Sequence, residues 1–426
     1  MLAKLQQIFK AKDIRNNILF VLALLIVFRI AAHIPVPGVN VADLESYFAG
    51  NQVLGMLNLF SGGAMQNFSI VMLGVGPYIT SSIIFQLLVM IVPRLEALSK
   101  EGEYGREKIN QYTRLLTIPL AVIQGYSFIR LLSSQTNGEL LSNISSMQLI
   151  ATLVIVTAGT IFLMWIGELI TERHIGNGVS LIIFAGIVAR LPQSIRNTWV
   201  SIEGGGQALN IIIFVGIALI TIAAIVLITE GTRNIPVSYA RHVVGQKNVG
   251  GVRTHLPLRV NQAGVIPIIF AISVLIFPPM VAQFFVRSQV DWVSNFSQWT
   301  IGLFANQTFY AVFYFLMVVF FTYFYTSVIF KPTEIAENLQ KQGGFIPGIR
   351  PGRHTSDYLG ITMNRIVFAG AIFLGLIAIL PLIVGPMTGI VTIGLGGTSL
   401  LITVAVVIET VKQIDAQLVM RDYEGF

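Results

Sequence analysis

The sequence predicts an all-α polytopic membrane protein, and three observations predict it. Of 426 residues, 54% are hydrophobic and only 11% charged, giving a mean hydropathy of +0.76. Uncharged runs at Leu140–Gly167, Gly204–Thr229, Val260–Val286, Val293–Phe330 and Ile366–Ile408 all exceed the ~20 apolar residues that a spanning helix needs. The alternating strands of about ten residues that mark a membrane β-barrel are not evident.

Ten spans follow in order, at about 16–34, 73–92, 114–132, 149–170, 178–195, 208–229, 262–285, 307–330, 364–384 and 390–411. The last uncharged run holds two spans, with "LIVGPMTGIVTIGLGG" (Leu382–Gly397) as the break between them. The basic N-terminal stretch "MLAKLQQIFKAKDIRNN" leads straight into a full-length span with no small-residue cleavage site, so no cleavable signal is expected.

An even number of spans puts both termini on one side. If that side is the cytoplasm, 22 of the 27 Lys and Arg residues lie inside; Arg29, Arg130, Arg190, Arg196 and Arg287 are the remainder. This bias predicts both termini cytoplasmic, and the net charge of +7 reads first as a topology signal. Two cytoplasmic loops, Glu230–Asn261 and Lys331–Arg365, are far longer than usual bundle connections. Their Pro- and Gly-rich text, "THLPLRVNQAGVIP" and "GGFIPGIRPGRHTSDYL", predicts shaped protrusions.

Between Ser46 and Pro93 no residue is charged, yet "VLGMLNLFSGGAMQNFSIVMLGVG" (Val53–Gly76) is broken after about eight apolar residues by Ser61-Gly62-Gly63. That first piece is roughly 12 Å long against a ~30 Å hydrocarbon core. It reads either as a re-entrant segment folded beside span two or as an interfacial helix. Irregular backbone at membrane depth requires burial in protein or a water-filled cavity. In span two, Val75 and Ile79 share a face, and Val179 and Ile183 repeat the pair in span five. Such charge-free pairs fit a dewetting constriction or ordinary bundle packing.

Several chemistries are missing. With no Cys, disulfides and thiol catalysis are excluded, and the five His show no metal-ligand spacing. No Walker A, HExxH or Gly-x-Ser-x-Gly sequence is present, so neither nucleotide binding nor a cofactor is expected and the chain does not read as an enzyme. Glu168 and Glu172 form an i,i+4 pair, either acid/base in role or simply a helix end meeting water beside Arg173. Arg29 lines a path or snorkels to the outer interface.

Seven blocks, "FRIAAHIPVPGV", "NLFSGGA", "PYITSSIIFQLL", "EGEYGREKINQYTR", "FLMWIGELITERHIGNGVSLIIFAGIVA", "THLPLRVNQAGVIPIIFA" and "FIPGIRPGRHTSDYL", together closely resemble the SecY family, channel subunits of the bacterial Sec protein translocase. The resemblance runs over nearly the whole chain. It implies two inverted pseudo-symmetric halves, residues 1–200 and 201–426, around a central hourglass pore, hinged near Pro192–Gly206. It implies a plug helix at about 53–65, comprising Leu54, Met56, Leu57, Leu59, Phe60 and the Gly62-Gly63 pair. The family's pore ring carries over to Val75, Ile79, Val179, Ile183, Ile269 and Ile402. Two of these are Val rather than the bulkier Ile, so a slightly wider ring is expected.

The family's lateral gate, which releases signal sequences into lipid, corresponds to Thr80, Gln124 and Asn261. Arg350 and Arg353 in the second loop, with Arg241 and Lys247 in the first, fall on docking surfaces for the SecA motor ATPase and the ribosome. The matching tip pair reads Gln246-Lys247, which weakens an expected ribosomal contact there. SecE, SecG, signal-bearing polypeptides and the lipid bilayer complete the implied partners, in the bacterial plasma membrane. The implied function is a channel that passes unfolded secretory chains and frees hydrophobic segments sideways. A secondary transporter or small-solute channel is the alternative, disfavoured by the uncharged constriction and large loops; a membrane scaffold is a third class.

Overall fold

The computed structural model describes residues 10–37, 61–135, 145–203, 208–239, 241–244, 247–250, 253–286, 288–388 and 397–424. Its helices are α1 (Lys12–Ala31), α2 (Gly76–Ile91), α3 (Pro93–Lys100), α4 (Glu103–Gln135), α5 (Ser146–Glu172), α6 (Gly178–Glu203) and α7 (Ala208–Glu230). They continue as α8 (Ile266–Phe285), α9 (Asp291–Ala305), α10 (Gln307–Ile329), α11 (Pro332–Lys341), α12 (Arg353–Thr388) and α13 (Gly397–Glu424). A helix overlies each of the ten predicted stretches. Among the described residues, α1, α5, α8, α12, and α10 run together with α11, are long and apolar enough to cross a membrane. The apolar stretches of α6 and α7 are shorter, and α2 with α3 makes a sixth candidate bent by 100°. That bend falls at Val92, which is extended because it precedes Pro93.

Several helices outrun their predicted spans. At ~1.5 Å per residue the 33 residues of α4 extend about 50 Å, and its first turns carry Arg106 and Lys108. Helix α13 likewise continues past Lys412, tied to the end of α7 by Lys412 and Glu230 at 2.8 Å. Large apolar side chains such as Ile26, Ile30, Leu219, Ile220, Leu227 and Phe320 are more than half exposed, the outward face expected of helices that meet lipid.

The helical expectation holds for the bundle, and the loops on one side of it add short strands. The loop after α7 forms β1 (Thr232–Tyr239), β2 (Arg241–Val244), β3 (Lys247–Gly250) and β4 (Arg253–Arg259), and the loop after α11 adds β5 (Gly344–Phe345). Strands β1 and β4 pair antiparallel from Thr232↔Arg259 to Ser238↔Arg253, and β5 joins β1 at Tyr239↔Gly344, for the order β4-β1-β5. Pro236 and Pro257 disguise these strands in the sequence, because proline is rare within a ladder. Alternation survives at Ile235 and Val237, which point inward while their neighbours Asn234 and Pro236 are exposed. They enter a small core with Leu258, Phe330, Ile346, Leu359, Met363 and Val367. The second predicted loop is largely regular too, made of α11, β5 and the first turns of α12.

Residues 61–75 run as a chain of turns ahead of α2, and most are buried. The run is bonded to the end of α1 by Val36 N–H to the Phe68 carbonyl (2.9 Å) and Ile70 N–H to the Ile34 carbonyl (3.0 Å). On its other flank, a Cβ on Gly159 of α5 would lie 1.9 Å from the Ile70 carbonyl oxygen. Only glycine admits so close a backbone approach.

Candidate functional site

The six aliphatic residues singled out from the sequence all lie in or against the apolar core of the bundle. Val75, Ile79, Ile183, Ile269 and Ile402 belong to one contiguous cluster of buried side chains, and Val179 packs against it. They arrive from the start of α2, the first turns of α6, the N-terminal turn of α8 and the first turns of α13. Val75 stands as the residue before α2 rather than inside it, but Ile79 N–H still reaches the Val75 carbonyl at 3.0 Å, so the two keep their i,i+4 relation. Ile183 is fully buried, and none of the six residues carries a polar side-chain atom.

Of the expected plug, Leu54, Met56, Leu57, Leu59 and Phe60 lie outside the described residues. Gly62 and Gly63 lie within them, with φ of +66° and +87°, a left-handed backbone suited to glycine. Gly62 sits against Gly186 of α6: a Cβ on Gly186 would be 2.3 Å from the Gly62 Cα. Arg29 Nη1 donates to the Gly62 carbonyl oxygen at 2.7 Å, and Arg190 of α6 donates to the Gln66 side-chain oxygen. Arg29 therefore turns inward to this segment instead of simply snorkelling. Arg190, Gln66 and Gly186 were not singled out in the sequence. Only the two uncompensated arginines in apolar surroundings signalled them.

At the expected gate, two of three residues meet. Gln124 Nε2 of α4 donates to Thr80 Oγ1 of α2 at 3.4 Å, and Thr80 in turn donates to the Gly76 carbonyl at 3.0 Å. Asn261, just ahead of α8, is 7% exposed and does not join them; its Oδ1 is buried with no hydrogen-bond partner among the described residues. Helix α8 packs against both α2 and α4.

The four residues expected to serve docking sit on the side with the sheet. Gly348 and Gly352 adopt φ of +82° and +92°, and Ile346 is buried in the small core. Thr355 Oγ1 donates to the Arg350 carbonyl at 2.9 Å. These contacts fix the backbone on which Arg350 stands exposed, with Arg353 exposed at the start of α12. Arg241 and Lys247 open the two strands of the β2–β3 hairpin, whose register runs from Arg241↔Gly250 to Val244↔Lys247. Helix α3 and the start of α11 carry ion pairs, Lys100–Glu96 at 2.6 Å and Lys331–Glu334 at 3.0 Å. The hydrogen bond from Lys100 holds the Glu96 carboxyl below the usual glutamate range.

Glu168, of the Glu168 and Glu172 pair, is held in an ion pair at the end of α5. Glu168 accepts from Arg114 Nε of α4 at 2.7 Å, while Arg173 lies 4.5 Å from the centre of the Phe20 ring. The expected help from Arg173 comes instead from Arg114.

The SecY family profile matches residues 69–411. Among curated relatives, the protein translocase subunit SecY of Streptomyces galbus is 44% identical over 449 residues, covering all of both chains. The subunit of the same name from Mycobacterium tuberculosis H37Rv is 44% identical over 451 residues, again over all of both chains. Among solved structures, a protein-conducting channel aligns with a TM-score of 0.64 at 16% identity, over 92% of this chain and 90% of that one. Sec61 in the canine ribosome–channel complex from the endoplasmic reticulum aligns with a TM-score of 0.61, also at 16% identity and over the same shares. The helical fold is thus shared with those channels, and identity of more than two-fifths along the full length settles the lineage: the chain belongs to the SecY family.

Proposed function

We propose that this chain is the channel subunit of a bacterial protein translocase, passing unfolded secretory polypeptides across the plasma membrane and releasing hydrophobic segments sideways into lipid. The observation that supports this reading is that Val75, Ile79, Val179, Ile183, Ile269 and Ile402, brought by four helices, all lie in or against the buried apolar core of the bundle. Apolar, compliant side chains make a seal that excludes ions by dewetting yet yields to a wide, sequence-diverse chain. Residues 1–200 and 201–426 form the two halves in this reading, with ten spans, both termini cytoplasmic and the sheet side facing the cytoplasm.

The buried run after Ser61 supports a plug at about 53–65, with its base anchored by Arg29. A solved relative of similar fold is described as having a plug domain that stabilises the closed state and maintains a membrane seal. Thr80, Gln124 and Asn261 border the lateral gate. Arg350, Arg353, Arg241 and Lys247 serve docking of SecA and the ribosome, and the fixed backbone around Arg350 suits a guanidinium that pairs bidentately with a carboxylate or phosphate. SecE and SecG are the proposed companion subunits. Energy is supplied by SecA, the ribosome or the proton-motive force.

A photo-crosslinking side chain at Ile183, with a secretory precursor stalled partway through membranes containing the assembled translocase, tests this reading. A crosslink that depends on the signal sequence is expected. No crosslink at Ile183 or at Ile79 removes the pore from this cluster and reopens the transporter alternative.

A further inference from the structure

Helix α9 lies between two spans and is too short to be one. Its 15 residues extend about 22 Å at ~1.5 Å per residue, against a hydrocarbon core of ~30 Å. It follows the C-terminal end of α8, whose N-terminal end leads from the sheet, so it lies at the opposite membrane face. Its position is fixed at both ends. Ser294 Oγ donates to the Val286 carbonyl at 2.7 Å. Asn306 closes α9 and caps α10, its Oδ1 accepting from Thr308 N–H at 3.0 Å and Phe309 N–H at 3.2 Å. Phe304 packs edge-on against Phe309 and Phe313, with ring centres 5.5 and 5.6 Å apart, which holds the inner side of α9 on α10.

The outer side is divided lengthwise. At ~100° per residue, Trp292, Phe296 and Trp299 share one edge, and Asp291, Asn295 and Gln298 share the adjacent edge. The aromatic edge is 75%, 57% and 61% exposed, and its rings form a ladder with centres 6.3 and 5.9 Å apart. The polar edge is exposed as well, and α9 contains neither Lys nor Arg. An amphipathic ring that is apolar in body and polar at the indole N–H is most stable where acyl chains meet headgroups.

We propose that α9 is a membrane-interface anchor: Trp292, Phe296 and Trp299 insert into the headgroup–acyl boundary of the leaflet opposite the sheet, while Asp291, Asn295 and Gln298 face water. The lipid interface is the occupant because α8 and α10 hold both ends of the helix at the bilayer edge. On the adjoining helices, Phe285 at the end of α8 and Val312 on α10 are also exposed. Since α9 carries no basic residue, its binding does not require anionic lipid.

The chain has four tryptophans, Trp165, Trp199, Trp292 and Trp299, so single-tryptophan proteins are accessible. Full-length protein carrying W165F, W199F and either W292F or W299F, reconstituted in phosphatidylcholine vesicles, is read by quenching. Phosphatidylcholine brominated high on its acyl chains should lower the emission roughly twofold, as expected for a ring buried ~5–10 Å into the interface. Bromines near the chain ends should quench less, and added anionic lipid should change nothing. Quenching by aqueous iodide with none by bromolipid would place the face in water and overturn the proposal. Protection from both quenchers would place it under protein and overturn it equally.

Discussion

Arg29 Nη1 of α1 donates to the Gly62 carbonyl oxygen at 2.7 Å, a bond between residues 33 positions apart that joins the first span to the buried turn run. Gly62 can stand there because its positive φ and its contact with Gly186 exclude any side chain. A charged hydrogen bond of this kind contributes about 1.5–3 kcal/mol. Loss of ~1.4 kcal/mol changes an equilibrium tenfold. Arg29→Leu is therefore expected to raise the resting ion leak of reconstituted vesicles by about tenfold or more. Single-channel recording checks this; an unchanged leak would show that the bond does not hold the closed state.

The gate residues carry opposite expectations. Replacing Gln124 by Leu removes the bond to Thr80, worth ~1 kcal/mol at most between membrane helices. Export of a precursor with a weakened signal should then rise about fivefold. Asn261→Leu removes a buried oxygen that has no hydrogen-bond partner among the described residues. It should tighten the seam and reduce export of the same precursor. Equal effects of the two variants in an export assay would contradict this assignment.

Gly159→Ala should damage folding rather than gating. Its Cβ would lie 1.9 Å from the Ile70 carbonyl oxygen, a backbone atom that cannot turn away. Overpacking costs about 1–3 kcal/mol or more. The expected result is a lower melting temperature in detergent, with less protein recovered in the membrane. A normal melting temperature would show that the turn run can shift away from α5.

Arg350 and Leu359 separate docking from the platform that supports it. Arg350→Glu changes an exposed side chain and should leave the melting temperature unchanged while abolishing motor-driven export. Leu359 is fully buried in the small core under the sheet. Its replacement by Ala is expected to cost about 2–5 kcal/mol. Protease sensitivity of the β1–β4 and β5 region should rise, with motor binding weakened indirectly. Full export with Arg350→Glu in a reconstituted assay would refute the docking role.

Elements whose signal is local were legible. Apolar stretches pointed to a helix at each of ten places, and the turn around Arg350 followed from Pro347, Gly348, Pro351 and Gly352. Elements that depend on distant partners were not. Strand β1 needs β4 across a hairpin and β5 from another loop more than a hundred residues later, and its prolines obscured the pattern. Helix α9 merged with α10 into one uncharged run, because the Asn306 corner carries no charge.

By itself the sequence determined the membrane class, the order of apolar helices, the basic side and the aliphatic character of the six residues in or against the apolar core. Those properties follow from transfer of each segment between water and lipid, a property of composition and period. The tertiary structure decided which residues touch: Arg29 with Gly62, Gly186 with Gly62, Gln124 with Thr80 but not Asn261, and Arg114 rather than Arg173 with Glu168. Inside an apolar bundle the choice among partners rests on close backbone approach and single hydrogen bonds. Such contacts join positions far apart in the chain and leave no periodic trace in it.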